Sequence, residues 1–179
     1  TVYPSGYLNN CLQVYETTRA ANVGGPVRSE GVGAKGKAIA LAMSSKAGVG
    51  NSGFRTGGAD GYTDTVPFGF WKRSFFQEAG LFDTEMVRNQ DDEFNFRTIA
   101  KGYRIYMSSK LTSTYFVRDS FTKLFRQYYE YGYYKPLVFK KTGAGYSIRH
   151  FIPSLFVMYL CGVLMLVCFS AWVLVPLAL

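Results

Sequence analysis

The stretch Asn89-Gln90-Asp91-Asp92-Glu93-Phe94-Asn95-Phe96-Arg97 places three successive acidic residues where a helix is expected to begin. Asn89 is a favourable N-cap residue, and apolar residues and an arginine follow at helical spacing. The three carboxylates then fall in the first turn, where the helix dipole favours their ionised form. An ionised carboxylate held there can serve as a general base. The same acids could instead complement the dipole of an ordinary surface helix, and these residues alone leave both interpretations open.

The residues on both sides of this stretch carry three further motifs. Thr65–Arg73 contains a glycine between two phenylalanines, Phe75–Asp83 ends in Ala-Gly-Leu-Phe-Asp, and Ala100–Tyr106 reads Ala-Lys-Gly-Tyr-Arg-Ile-Tyr. In this order the motifs resemble the second half of a family 2 glycosyltransferase with the GT-A fold, of the membrane-attached succinoglycan-biosynthesis type. The resemblance extends over most of the chain, up to about Val157.

The resemblance implies an activity and a catalytic residue. The activity is an inverting, hexosyltransferase-type transfer from a nucleotide-sugar donor to a saccharide or polyprenyl-linked acceptor, in exopolysaccharide or cell-surface glycan synthesis. In that family the aspartate of an acidic Glu-Asp pair is the catalytic base, and Asp91 matches this aspartate. Gln90 stands where the pair usually has glutamate. Asp92 is the second candidate for the base and is assigned to the acceptor side of the site.

The resemblance also implies acceptor contacts. Gly69 and Phe70 match the family's acceptor loop, and Trp71 occupies the neighbouring position. The family often has a Gln-x-x-Arg-Trp motif further along the chain. Here Gln127 remains from that motif, while Glu130 stands at the position of the arginine.

The implied fold class is α/β: a partial GT-A fold followed by an amphipathic interface helix and a transmembrane helix. Residues 1–117 would be the C-terminal part of the catalytic domain, 118–150 a basic aromatic membrane-interface segment, and 151–179 the transmembrane helix. The family's metal-binding Asp-x-Asp motif and its nucleotide-binding half would precede Thr1. The chain is therefore interpreted as a fragment that is inactive alone. A divalent Mg²⁺ or Mn²⁺ is expected in the complete enzyme, with all its ligands outside this chain.

Hydrophobic spacing predicts the elements of the first half. A helix opening at Tyr3–Ser5, with Ser5 as its N-cap, would bury a stripe of Leu8, Cys11, Leu12 and Tyr15. A short strand with a glycine-rich bend is expected at Asn22–Val27. An alanine-rich helix at Lys37–Ser45 would turn Ile39, Ala42 and Met43 inward. The many glycines from Gly24 to Gly69 are typical of a mobile loop over a cleft, and they lack the spacing of a phosphate-binding motif.

Similar patterns continue through the second half. A helix is expected at Ser74–Ala79, closed by Gly80, and strands at Tyr103–Met107 and Leu111–Val117. From Ser120, a capping residue, an apolar and aromatic stripe follows at helical spacing: Phe121, Leu124, Phe125, Tyr128 and Tyr131. Such a helix could lie in a membrane interface or pack on the catalytic domain, and the two are not exclusive.

Charge and apolarity indicate a membrane rather than nucleic acid. The net charge is +8, and seven basic residues against two acidic ones lie between Arg118 and Arg149. Ile152–Leu179 follows without a charged residue, and as a helix its 28 residues would be about 42 Å long, enough to cross a bilayer core. The basic flank implies attachment to the inner (cytoplasmic) membrane, with the catalytic part on the cytoplasmic side and anionic lipid as a partner.

Other kinds of site are less well supported. The three cysteines have no metal-ligand spacing, and the single histidine, His150, lies at the start of the apolar segment. A glycosidase would need a second carboxylic acid at a fixed separation across the sugar. The rival interpretation is a non-catalytic, membrane-anchored remnant or binding module that retains the acceptor surface.

Overall fold

The computed structural model describes residues 1–50, 52–143 and 151–174. The chain divides into two compact units, Thr1–Gly145 and Tyr146–Leu179. The domain boundaries expected from the sequence, after residues 117 and 150, stay a prediction.

Within the described residues, the first unit contains six short strands: β1 (Asn22–Gly24), β2 (Val27–Glu30), β3 (Gly61–Thr63), β4 (Phe70–Trp71), β5 (Ile105–Met107) and β6 (Ser113–Phe116). Four of them form a mixed sheet in the order β3-β5-β1-β4, in which β1 and β5 are parallel and the outer two strands are antiparallel to their neighbours. Strands β2 and β6 form a separate parallel pair. The α/β class predicted from the sequence is confirmed.

The helices of this unit are α1 (Tyr7–Thr18), α2 (Gly33–Ser44), α3 (Lys46–Val49), α4 (Phe75–Ala79), α5 (Gln90–Ala100) and α6 (Phe121–Thr142). A 3₁₀ turn, Ser109–Leu111, links β5 to β6. Helix α4 begins after Ser74 and ends at Gly80, as predicted. The two strands predicted on either side of the 3₁₀ turn are present but shorter, and the second begins later because Leu111 belongs to the turn.

Two predictions about helix α1, its N-cap and its buried face, are corrected by the structure. It begins at Tyr7, with Gly6 in the left-handed conformation at the N-cap position, so Ser5 does not cap it. Its buried residues are Tyr7, Cys11 and Val14, which also follow helical spacing. Of the predicted stripe, Leu8 and Leu12 are exposed, Cys11 is buried and Tyr15 packs at the edge of the core. The sheet lies on a different side of the helix from the one that the leucines suggested.

The glycine-rich part contains more regular structure than its composition predicted. The expected strand divides into β1 and β2, and helix α2 begins at Gly33 rather than Lys37. Ile39 and Met43 are buried as predicted, while Ala42 is exposed. A Cβ atom at Gly31 would lie 2.0 Å from the carbonyl oxygen of Gly36, so the backbone before α2 folds closely onto the helix. Residue 51 of the predicted mobile loop lies outside the described residues.

Helix α5 begins at Gln90 and carries Asp91, Asp92 and Glu93 in its first turn, as predicted. The predicted cap is wrong. Asn89 has a left-handed backbone (φ 60°), and its side chain makes no capping hydrogen bond. The Asn89 amide instead donates to the carbonyl of Tyr131 on α6 over 3.1 Å. The start of α5 is therefore held by a neighbouring helix rather than by a local cap.

Helix α6 begins as predicted, because the Ser120 hydroxyl accepts a hydrogen bond from the backbone N–H of Lys123. Its aromatic residues Phe121, Phe125 and Tyr128 are exposed. Residues Gln127, Val138 and Phe139 are buried, and Val138 packs with Met86 and with Phe96 of α5 in one apolar cluster. The packing of α6 on the rest of the unit is thus confirmed, and its contact with a membrane stays a prediction.

Phe94 of α5 lies at the centre of an aromatic cluster. Its side chain is fully buried, with ring-centroid separations of 4.7 Å to Trp71, 5.4 Å to Phe76 and 4.7 Å to Phe82. Aromatic pairs at such separations add to the free energy gained by burial. The cluster fixes α5 against α4 and the end of strand β4.

The second unit contains helix α7 (Ile152–Leu174), which has no acidic residue in its first turn and no basic residue in its last. Many of its large apolar side chains are exposed, including Phe156, Leu164 and Phe169. Among the residues that the structure describes, no helix reaches the length and apolarity needed to cross a membrane. The predicted transmembrane helix is therefore not found, and its last residues, 175–179, lie outside the described part, as do 144–150 of the predicted interface segment.

Replacing Phe94 with alanine should lower the free energy of unfolding by about 3–5 kcal/mol, because it removes the central ring of the aromatic cluster and leaves a cavity. Urea denaturation followed by fluorescence measures the change. Phe125→Ala is the matched control, since the Phe125 side chain is 72% exposed and its loss should cost less than about 0.5 kcal/mol. Equal losses in the two variants would contradict the assignment of Phe94 to the core.

Candidate active site at the start of helix α5

The adjacent carboxylates Asp91 and Asp92 have different surroundings. Asp91 is exposed to solvent, and its Oδ1 accepts the backbone N–H of Asp92 over 3.0 Å. Asp92 is three-quarters buried, and both its oxygens are engaged: Lys135 Nζ lies 2.6 Å from Oδ2, and the Thr65 hydroxyl lies 3.4 Å from Oδ1. A general base must be reachable by its substrate, which Asp91 is. Asp92 is held as part of the framework.

Glu93, the third acid, is structural. It is buried and forms a two-pronged ion pair with Arg97 one turn later, with N–O distances of 2.8 and 2.9 Å. Arg97 also donates to the carbonyl oxygens of Ala79 and Leu81 over 2.6 and 2.9 Å. These bonds connect α5 to the Ala-Gly-Leu turn after α4. The Ala-Gly-Leu-Phe-Asp motif thus provides the carbonyl oxygens that bind Arg97, a role that the sequence alone did not indicate.

The pKa of the Asp91 carboxyl is raised above its ordinary value of 3.8. The main cause is loss of hydration: although water reaches the side chain, protein surrounds it on most sides. The negative charge of Asp92 is the second cause, while backbone N–H groups and the ammonium of Lys135 act in the opposite direction. The helix N-terminus therefore does not determine the pKa of Asp91. This corrects the expectation that the helix dipole keeps the group ionised. A raised pKa makes a carboxylate a stronger base once it is ionised.

Buried polar side chains connect this site to the central sheet. The Asn22 amide on β1 donates to Asn95 Oδ1 over 2.9 Å, and the Asn95 amide donates to Thr65 Oγ1 over 2.9 Å. Thr65 in turn donates to Asp92. None of these contacts is local in sequence, and no sequence signal identified Asn22, Asn95 or Thr65 as members of the site. Together they fix the side of α5 that carries Asp92 and, beside it, Asp91.

A surface groove lies at the other end of this network. It has a volume of about 650 Å³, and its lining includes Tyr3, Tyr7, Phe68, Gly69 and Phe70. Phe68 has a left-handed backbone (φ 51°), which is strained for an aromatic residue and is often found at functional sites. A Cβ atom at Gly69 would lie 2.1 Å from Asn22 Oδ1, so only glycine allows the loop to approach the network.

The structure places four of the five predicted acceptor residues in three different environments. Gly69 and Phe70 line the groove. Trp71 instead stacks on Phe75 and contacts Phe94 within the aromatic cluster, with ring-centroid separations of 5.3 and 4.7 Å. Asp92 lies beside Asp91 and is bound to Lys135. Which of these residues touch an acceptor stays a prediction.

Gln127 lies inside a hydrogen-bonded cluster between α6 and β6. It is buried, its amide donates to the Tyr131 hydroxyl over 2.9 Å, and its oxygen accepts from Arg118 over 3.2 Å. Glu130, at the position of the family's arginine, pairs with Arg88 and Arg126 over 2.6 and 3.1 Å. In this structure Gln127 organises neighbouring side chains.

The described residues do not fit a metal site of their own. No group of three or more histidine, cysteine, aspartate or glutamate side chains in this part of the chain is arranged to hold an ion. The carboxylates near Asp91 are already committed, Asp92 to Lys135 and Glu93 to Arg97.

Two curated proteins are similar to this chain over most of its length. The succinoglycan biosynthesis protein ExoA of Rhizobium meliloti is 30% identical over 151 residues, which covers 84% of this chain and 46% of that protein. A dolichyl N-acetyl-alpha-D-glucosaminyl phosphate 3-beta-D-2,3-diacetamido-2,3-dideoxy-beta-D-glucuronosyltransferase of Methanococcus voltae is 31% identical over 148 residues, which covers 78% of this chain and 45% of that protein. The chain is a relative of the family 2 glycosyltransferases of the succinoglycan type.

This relationship confirms the resemblance seen in the sequence motifs. The mixed sheet with its helices fits a partial glycosyltransferase fold. No family model and no solved structure matches the chain. The chain spans about half the length of the curated relatives it matches.

Replacing Asp91 with asparagine should raise the midpoint of urea unfolding at pH 7. Because the pKa of Asp91 is raised in the folded state, folding favours its protonated form, and stability is lost as the pH rises from the ordinary value of 3.8 through the folded value. The asparagine variant avoids this loss, so its advantage should shrink as the pH is lowered towards 4.

Asp83→Asn is the control for that measurement. The hydrogen bond from Lys141 lowers the pKa of Asp83, so this variant should lose stability at pH 7, and its deficit should shrink on acidification. Destabilisation by Asp91→Asn at pH 7 would show that the ionised Asp91 carboxylate is favourably placed and that its pKa has been assigned the wrong direction.

Proposed function

We propose that the complete protein containing this chain is an inverting glycosyltransferase. It moves a sugar from a nucleotide-sugar donor to a hydroxyl group of a saccharide or lipid-linked acceptor during the synthesis of exopolysaccharide or cell-surface glycan. The single observation that carries the proposal is the pair of carboxylates at the start of α5, of which Asp92 is anchored and Asp91 is accessible. The two relatives support it, and the name of one contains a lipid-linked saccharide, dolichyl N-acetyl-alpha-D-glucosaminyl phosphate.

In this mechanism Asp91 acts as the general base. The acceptor hydroxyl oxygen attacks the anomeric carbon from the face opposite the diphosphate, and a new carbon–oxygen bond forms as the bond to the phosphate oxygen breaks. The nucleoside diphosphate leaves with the bonding electron pair, and the Asp91 carboxylate takes the acceptor's proton. The raised pKa of Asp91 supports this role, because a base is most effective when its pKa approaches the working pH.

The aromatic groove is the proposed acceptor surface. Phe68 and Phe70 offer apolar faces on either side of Gly69, whose missing side chain keeps the backbone close to Asn22. Sugar rings bind readily against such faces because their C–H groups are apolar. Hydrogen bonds from Asn22 through Asn95 and Thr65 to Asp92 would hold this surface in a constant position relative to the base.

The mechanism also needs residues that bind the sugar donor. We propose that a divalent Mg²⁺ or Mn²⁺, if the complete enzyme uses one as its resemblance implies, is bound by residues that are not in this chain. Such an ion would stabilise the charge on the leaving diphosphate. The residues of this chain would then provide the base, the acceptor groove and the framework between them.

We further propose that the protein attaches to the inner membrane, with the catalytic part on the cytoplasmic side. Two features support attachment: the basic residues between Arg118 and Arg149, and the large apolar side chains exposed along α7. Leaving so much apolar surface in water is unfavourable by about 25 cal/mol per Å², whereas lipid would cover it. Anionic lipid headgroups would pair with the basic residues.

Asp91→Asn in the complete protein should reduce the rate of sugar transfer by about 10²-fold or more, because the variant keeps the size of the side chain but cannot accept a proton. Transfer is measured with a radiolabelled nucleotide sugar and membrane extracts as the source of acceptor. Asp83→Asn, which removes a partly buried carboxylate that is bound to Lys141, should transfer at close to the unmodified rate. Full activity in Asp91→Asn together with loss in Asp92→Asn would mean that Asp92 is the base.

Membrane attachment predicts a graded response to salt. The intact protein should sediment with membranes after a wash in 1 M salt, since apolar contacts survive ionic screening. Removing Ile152–Leu174 should leave attachment that the same wash abolishes. Recovery of the intact protein in the supernatant after the wash would refute attachment through α7.

A further inference from the structure

Lys135 of helix α6 binds the carboxylate next to the proposed base, and the mechanism gives it no role. Its ammonium group lies 2.6 Å from Asp92 Oδ2, and both side chains are more than three-quarters buried. The same nitrogen lies 5.5 Å from the ring centroids of Phe96 and Phe139, which are themselves buried. A lysine enclosed in this way has few alternative positions, in contrast to an exposed surface lysine.

We propose that Lys135 is a positioning residue for the proposed base: its ammonium group holds Asp92 and thereby fixes the start of helix α5, which carries Asp91. The proposal rests on the function proposed above for Asp91. It adds a second helix, α6, to the machinery that places the base.

The position of Lys135 supports a role in fixing Asp92. The hydroxyl of Thr65 holds one oxygen of Asp92 from the sheet side, and Lys135 holds the other from α6. Asp92 is therefore fixed from two sides, and Asp91 follows directly before it in the chain. Asn89, two residues before Asp91, is also bound to α6, through the carbonyl of Tyr131. The first turn of α5 is thus clamped to α6 on both sides of Asp91.

The charge of Lys135 also acts on Asp91. Its attraction lowers the pKa of the Asp91 carboxyl and offsets part of the rise that burial and Asp92 cause. Tyr131 of α6 also interacts with the charge of Asp91, and with that of Arg55. The Arg88–Glu130 pair joins the residues before α5 to α6, the Glu93–Arg97 pair lies on α5, and Asp64 is next to Thr65 in the chain. Among the described residues, Arg88 and Arg97 are paired with Glu130 and Glu93, whereas Lys135 is paired with Asp92.

The first test is an NMR titration of the intact protein with ¹³C-labelled aspartate, in which the Asp91 signal is identified by its loss in Asp91→Asn. Lys135→Met should move the Asp91 titration to higher pH, and Lys135→Arg should return it close to the unmodified position. Lys141→Met is the matched control: Lys141 is another α6 lysine with acidic partners, Asp83 and Glu85, at 2.5 and 2.6 Å. This control should leave the Asp91 titration unchanged.

The second test follows sugar transfer as a function of pH. Lys135→Met should move the acid limb of the profile to higher pH, so that the loss relative to the unmodified protein is about tenfold larger on that limb than at alkaline pH. Lys135→Arg should restore the profile. A lysine that only stabilises the fold would instead lower activity by one factor at every pH, as Lys141→Met would if it has any effect.

An unchanged Asp91 titration in Lys135→Met, or an equal shift in Lys141→Met, would overturn the proposal. If Lys135→Met does not fold, Lys135→Gln keeps a hydrogen-bond donor for Asp92 without the charge and should show the same upward shift, and its absence would count equally against the proposal. The NMR result does not depend on catalysis. Failure of Asp91 as the base would therefore appear as full transfer by Asp91→Asn while the titration shift in Lys135→Met persists.

Discussion

A chain of hydrogen bonds from the central sheet to helix α6 determines where the acidic start of α5 lies. It runs from Asn22 on β1 through Asn95 and Thr65 to Asp92 and ends at Lys135. Each of these polar groups is wholly or largely withdrawn from water, and leaving one of them without a partner would cost about 1–3 kcal/mol. The network therefore tolerates little displacement. Sheet, loop and both helices keep one relative arrangement because their polar side chains must meet.

The two acids at the start of α5 have different roles, one in stability and one in the proposed reaction. Asp92 is bound on both oxygens and supports the fold, whereas Asp91 is accessible and its pKa is raised by the protein around it. A charged group in such surroundings opposes folding, and proteins commonly tolerate this at functional sites. Phe68 shows the same compromise at the groove, where an aromatic residue adopts a left-handed backbone at a cost of about 1–3 kcal/mol. The raised pKa of Asp91 and the left-handed backbone of Phe68 are both unfavourable for folding. Asp91 is next to Asp92 of the hydrogen-bond network, and Phe68 is next to Gly69, which approaches Asn22.

Features with local causes were predictable from the sequence. The start of α5 at its three acids, the end of α4 at Gly80 and the cap of α6 at Ser120 all follow from residues within one helical turn. The buried face of α1 was not predictable in the same way, because Leu8 and Leu12 have helical spacing just as Tyr7 and Val14 do. Only the position of the sheet decides between those faces. The cap at Asn89 failed for a similar reason, since a carbonyl on α6 binds its side chain.

The framework of the site was beyond the reach of sequence patterns because its contacts join distant residues. Asn22 and Asn95 are 73 positions apart, and Asp92 and Lys135 are 43 apart. Asp91 could be named as the candidate base from its motif alone, while the distinction between an anchored and an accessible carboxylate required the structure. Arg97 illustrates the same limit, because its bonds to the carbonyls of Ala79 and Leu81 depend on how α4 and α5 pack.

The proposed mechanism requires Asp91 to accept the acceptor's proton. Its most direct test is an experimental structure of the complete protein with an acceptor and an unreactive donor analogue bound. We expect a carboxylate oxygen of Asp91 to lie about 2.6–3.2 Å from the attacking hydroxyl, while Asp92 remains bound to Lys135. An acceptor hydroxyl that lies against another carboxylate, with Asp91 beyond hydrogen-bonding reach, would contradict it.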